Sequence, residues 1–125
     1  MGFSGCHSLT HNQANTQPDH SDPSLRTRHY PLSYDVFFAK LVHVIKSLPR
    51  WQVVAQDLEK GEILATRRSR LFRFVDDVRI QISKKGENEI ALDLHSASRV
   101  GKGDLGQNAR NIRELLHRLD QKLLN

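Results

Sequence analysis

A chain of 125 residues makes one folding unit rather than two, and its single cysteine, Cys6, excludes an intramolecular disulfide framework. No apolar run approaches the roughly 20 residues of a membrane-spanning helix. The net charge is +5, and since Arg26 and Arg28 balance Asp19 and Asp22 in the first thirty residues, the whole surplus lies beyond them. A surplus of this size fits an ordinary mixed-charge surface, and it also draws acidic partners or anionic ligands.

Residues 1–29 are polar and rich in Ser, Thr, Asn, Gln, His and Asp. Such a stretch has too little apolar surface to offset its ordering entropy and reads as a disordered tether. Near its start, Phe3-Ser4-Gly5-Cys6 resembles a lipobox, which makes Cys6 the candidate for lipidation. Only five residues precede it, too few for the apolar core of a signal peptide, so the expectation depends on sequence upstream in the native gene. As a flexible coil the arm would reach about 25–30 Å. His7, His11, His20 and His29 lie in this arm without metal-ligand spacing.

Residues 30–125 read as a single α+β domain. Ser33 or Asp35 can cap a first helix, in which Phe37, Leu41, Val44, Ile45 and Leu48 recur at helical spacing and Pro49 ends the run. Four strands follow: Trp51–Leu58, Glu62–Arg70, Phe74–Ser83 and Asn88–Arg99. Glu59-Lys60-Gly61 turns between the first two, and Lys84-Lys85-Gly86-Glu87 is a polar loop between the last two. The last two alternate: Val78, Ile80 and Ile82 with Ile90, Leu92 and Leu94 on one face, Arg79, Gln81, Asp93 and His95 on the other. A final helix starts at Asp104, which has capping-box spacing to Gln107, and a Glu114–Arg118 pair decorates its surface. The expected fold is a four-stranded antiparallel sheet with two helices on one face, in the order α-β-β-β-β-α.

The chemistry-bearing residues are few. GKGDLG at 101–106 matches G-x-G-x-x-G, but no parallel strand follows, so the glycines read as turn residues before a helix. His43, His95 and His117 have no second ligand at metal spacing, and no metal or cofactor is expected. Ser96 and Ser98 lack the setting of a nucleophile. The wet sheet face has no aromatic ring, which argues against nucleic acid. Strand parity turns Asp76 inward with Ser96 and Ser98, and pairing Ile80 with Leu92 would set Asp76 opposite Ser96. Asp77 should point outward. Arg67, Arg68, Arg70, Arg73 and Arg99 are near in sequence, as are Asp104 and Asn108 where the last helix opens. This polar corner reads as a structural latch, or as a site for a small anion or an acid–base pair.

The stretches RSRLFRFVDDVRIQI (68–82) and SASRVGKGDLGQNARNIREL (96–115), with SLPRWQVV (47–54) ahead of GEILATRRSR, resemble the family of domains of unknown function numbered 1499. The resemblance covers roughly residues 35–120 and implies a shared fold. Arg68, Ser69, Arg70, Asp76, Asp77, Ser98, Arg99, Gly101, Asp104, Leu105, Gly106 and Asn108 fall on family-typical positions. Many relatives have a P-N-C-V-S-type stretch before the first helix. Here DPSLRTRHY (22–30) stands there without a cysteine. The family brings no assigned activity. The residues fit a non-enzymatic binding or accessory module of the bacterial cell envelope, a membrane-anchored lipoprotein facing the periplasm if Cys6 is lipidated and a cytoplasmic protein if it is not. Its partner would be an envelope protein or an anionic ligand, and it would touch the membrane only through that lipid. The alternatives are a small enzyme working from the polar corner, and a carrier of an apolar molecule held between helices and sheet.

Overall fold

The computed structural model describes residues 13–69, 74–99 and 106–124. In chain order the elements are β1 (Gln13–Asn15), a short 3-10 turn (Pro23–Leu25), β2 (Arg28–Tyr30), α1 (Tyr34–Ser47), β3 (Trp51–Asp57), β4 (Glu62–Arg68), β5 (Val75–Gly86), β6 (Glu89–Ser98) and α2 (Gln107–Leu124). β3 to β6 form an antiparallel meander, and β1 and β2 both pair with the outer edge of β6. The α+β class and the antiparallel sheet agree with the sequence reading. The strand count does not: the sheet has six strands, and two of them precede the first helix.

The two extra strands come from the segment expected to be a tether. Gln13, Ala14 and Asn15 pair with Ala97, Ser96 and His95, and Arg28, His29 and Tyr30 pair with Leu92, Ala91 and Ile90. Between them the chain loops out, and Asp93 pins both ends of the loop. Its Oδ1 accepts from Thr16 Oγ1 at 2.7 Å and from Thr27 Oγ1 at 2.6 Å. Leu25 plugs into the core. α2 holds the loop from its other side. Arg113 donates to Asp22 and Ser24, and Asp120 accepts from Arg28 and from the Tyr30 hydroxyl, each at 2.7–2.9 Å. Hydrogen bonds from the Ser24 hydroxyl and backbone, then from Arg113, hold the Asp22 carboxyl down to about 2. Burial, then Asp120, pushes the Tyr30 phenol well above its usual range.

Both helices lie on one face of the sheet and against each other. α1 buries Phe37, Leu41, Val44 and Ile45 as read from its periodicity, Leu48 is buried just past its end, and Ser33 caps it through its backbone alone. Pro49 and Arg50, whose φ is 70°, turn the chain directly into β3. Gly61 sits at φ 72° in the β3–β4 turn, where a Cβ would meet the carbonyl of Ile82, so the position requires glycine. Phe37, Leu41, Ile45, Ile63, Ile80, Leu92, Ile112, Leu115 and Leu119 fill the space between helices and sheet. β5 runs through Lys84 to Gly86, which pairs with Glu89, so a tighter turn replaces the expected loop. That tightening slides the register by two residues. Ile80 pairs with Leu94 rather than Leu92, and Asp76 faces Ser98 rather than Ser96. A slip of two keeps every side chain on its expected face.

Candidate functional site

At one end of the inner face the apolar floor stops in a row across four strands. Trp51 pairs with Arg67, Arg67 with Asp76, and Asp76 with Ser98. Ser96 lies one step inside this row. α2 crosses above it and presents Asn108, Asn111 and Glu114, each three residues from the last and so on one helical stripe. Every one reaches down to the sheet. Asn111 Nδ2 donates to Asp76 Oδ2 at 2.7 Å and to Ser96 Oγ at 3.2 Å. Asn108 Oδ1 accepts from Ser96 Oγ at 2.6 Å, and its Nδ2 donates to Ser98 Oγ at 2.9 Å. Glu114 Oε1 accepts from Arg67 Nε at 2.9 Å and from Trp51 Nε1 at 3.0 Å. Gln107 Nε2 closes the set by donating to Asn111 Oδ1 at 2.7 Å.

The structure gathers part of the expected set of corner residues. Asp76, Ser96, Ser98 and Asn108 are in it, as expected. Asp77 and Arg99 are not: they form a two-bond pair at 2.9 Å on the opposite, exposed face. Arg68 is exposed, and its backbone N–H donates to the Arg50 carbonyl. Arg70, Arg73, Asp104, the glycines at 101 and 103, and Cys6 lie outside the described residues, and α2 opens at Gln107 rather than 104. Arg67 was placed near the corner by sequence alone, and Trp51, Asn111 and Glu114 were not singled out as members. Their signal was the 108–111–114 spacing, which places three polar residues on one stripe just before the leucines of α2. The Glu114–Arg118 surface pair does not form, because Glu114 turns inward to Arg67 and Trp51.

This arrangement favours cohesion over reaction. Asp76 is 6% exposed and Ser96 fully buried. The Ser96 hydroxyl donates to an amide oxygen, which cannot take its proton, so no nucleophile is generated. The buried Asp76 carboxylate accepts from Asn111 and so joins β5 to α2. Among the described residues there is no cluster of three metal-ligating side chains, and no helix is long and apolar enough to cross a membrane.

Among the described residues no helix covers the opposite face of the sheet. There a shallow groove of about 370 Å³ runs across the strands from Val54 and Leu64 to Ala97, with Arg79, Arg99, Asp77 and His95 beside it. Val54 is 59% and Leu64 37% exposed. Arg79 lies 3.9 Å from the Glu62 carboxylate. Burial, then the Arg79 charge, holds the His95 imidazole below its usual range.

No curated protein matches the chain. Among solved structures it resembles an uncharacterised protein from Bacillus thuringiensis, at 10% identity and a TM-score of 0.58, over 90% of this chain and 99% of that one. That likeness is one of fold. A START superfamily protein from Mycobacterium smegmatis aligns at 11% identity and a TM-score of 0.45, over 90% of this chain and 94% of that one. The family model described as protein of unknown function (DUF1499) matches residues 6–119, well beyond the span from 35 read in the sequence and inclusive of the strands on the β6 edge. The chain belongs to this family.

Proposed function

We propose that this protein is a non-enzymatic binding module of the bacterial cell envelope, and that its ligand is a molecule with an acidic head and an apolar body lying on the open face of the sheet. The groove on that face carries the reading. It sets the exposed side chains of Val54 and Leu64 beside the guanidinium groups of Arg79 and Arg99. An apolar floor with a few placed charges is the usual composition of a small-molecule site. The alternatives have less support. Asp76, the carboxylate an enzyme at the polar corner would use, already accepts from Asn111 under α2. The space an apolar carrier would need holds nine core side chains.

The ligand test compares decanoate with decyl maltoside, whose alkyl chains are of nearly equal length and whose heads differ in charge. Decanoate is expected to shift the backbone amide resonances of Val54, Leu64 and Ala97, and Arg79→Gln to weaken it about fivefold or more, as loss of a charge-assisted contact does. Equal binding of both amphiphiles, or shifts elsewhere, would discard the reading. Envelope placement rests on Cys6, which stands seven residues before β1. A lipid there would hold the folded domain within about 25 Å of the bilayer, the full extension of seven residues. Intact-mass analysis of protein expressed from the full native locus should show an acylated Cys6. A bare cysteine in the soluble fraction would remove the placement and leave the alternative, a cytoplasmic binding protein.

A further inference from the structure

The acidic side chains of the two helices are engaged away from the cleft between them. α1 has one, Asp35, in its first turn, and α2 has Glu114 and Asp120. Glu114 reaches down to Arg67 and Trp51, and Asp120 is held by Arg28 and Tyr30. The basic side chains are not matched in this way. Lys40 of α1 and Arg118 and Lys122 of α2 form no ion pair among the described residues. Two hollows open beside these three. One, of about 330 Å³, lies between the helices and is lined by Ala39, Lys40, His43, Val44, Lys122 and Leu123. The other, of about 510 Å³, is lined by Arg118, Gln121, Lys122 and Leu124. Lys122 belongs to both, and no Asp or Glu lines either. Arg118 adds an independent sign: its Nε is buried, and among the described residues it has no hydrogen-bond partner. Buried polar groups are nearly always paired. Glu114, one turn earlier and the usual partner at that spacing, is turned to the sheet.

We propose that this cleft between α1 and α2 binds a phosphate monoester, with Lys40, Arg118 and Lys122 on its oxygens and Ala39, Val44 and Leu123 beside the group it esterifies. Three cations with no acid among them repel one another and gain from a shared anion. A phosphate monoester carries about −1.5 to −2 charges near neutral pH and three terminal oxygens, enough for three cationic side chains at once, whereas a carboxylate offers one charge and two oxygens. The guanidinium of Arg118 suits a phosphate in particular, because its planar fork can donate two parallel hydrogen bonds. Lys40 and Lys122 line the first hollow from opposite helices, and the flexible stem of Lys122 lets its ammonium turn to either hollow. His43 and Gln121 add further donors. The same ester chemistry occurs on the headgroup of phosphatidic acid and on small soluble phosphates. The cleft lies in the helical layer, across the sheet from the outer groove, so it is independent of what that groove binds.

Glycerol 3-phosphate, titrated into the full chain at constant ionic strength, should give saturable shifts of the backbone amide resonances of Lys40, His43 and Lys122, and acetate should not. Flotation with vesicles of phosphatidylcholine, with and without phosphatidic acid, is the second arm. Binding of the soluble ester, with or without the vesicles, assigns the site to small phosphates. Binding to the acidic vesicles alone assigns it to a lipid headgroup. In whichever arm binds, Arg118→Gln and Lys122→Gln should each weaken it about fivefold or more. Lys46→Gln removes an equal charge from α1 outside both hollows and should change binding by less than about twofold. Far-UV circular dichroism checks that all three variants fold. Equal losses from Lys46→Gln and Lys122→Gln would reduce the cleft to diffuse surface charge and overturn the site. Equal shifts from acetate, or no binding in either arm, would overturn it as well.

Discussion

Asp76 and Asp77 are adjacent in one strand, and the two faces of the sheet treat them in opposite ways. The inner carboxylate is covered by α2 and accepts from the buried amide of Asn111. The outer one holds Arg99 with two hydrogen bonds of 2.9 Å, yet both partners remain more than half exposed. By distance alone the two interactions look alike. What separates them is the cost of losing one partner: water replaces it on the outer face and cannot readily do so on the inner face.

Denaturant melts of two variants beside wild type put that difference to the test. Asp76→Ala should cost about 2–4 kcal/mol, because it deprives the Asn111 amide of an acceptor in a buried setting and takes the carboxylate from beside Arg67. Asp77→Ala should cost less than about 1 kcal/mol, the range of an exposed ion pair. Equal small losses would mean that water reaches the inner corner as freely as the outer face. A stabilised Asp76→Ala would mean that the carboxylate is kept at the expense of stability, as functional groups are.

The outer face supplies a smaller effect that depends on pH. His95 has its folded pKa lowered from 6.5 by burial and then by Arg79. The unfolded chain therefore takes up this proton first as pH falls. Stability from neutral His95 is complete above the ordinary histidine range and declines as pH drops below about 6.5. His95→Gln should flatten that part of the stability profile, read from melting temperatures between pH 7.5 and 5. An unchanged slope would assign the pH dependence to another group.

The sequence made some of this legible and hid the rest for physical reasons. Alternation in β5 and β6 and the 3.6-residue period of the helices report burial directly, so the core positions and the inward turn of Asp76 could be read from them. The register of the last hairpin could not, since it depends on whether Gly86 continues the strand or joins the turn. β1 and β2 are three residues each and mostly polar. What fixes them is distant: Asp93 for the two threonines, Arg113 and Asp120 for the loop and its exit. Leu25 and Tyr30 were the local hints, an aliphatic and an aromatic side chain in an otherwise hydrophilic run. In the corner, Asn108 could be anticipated from its place near the opening of α2. Asn111 and Glu114 required knowing how α2 rotates over the sheet.

The pairing of β1 with β6 also sets an order of events during synthesis. Thr16 meets Asp93 across 77 positions, and Asp22 meets Arg113 across 91. At about 5–20 residues per second the N-terminal segment leaves the ribosome several seconds before either partner does. Until then the segment has no strand beside it, and afterwards it must close long chain loops to dock. Contacts this distant slow folding more than they strengthen the folded state.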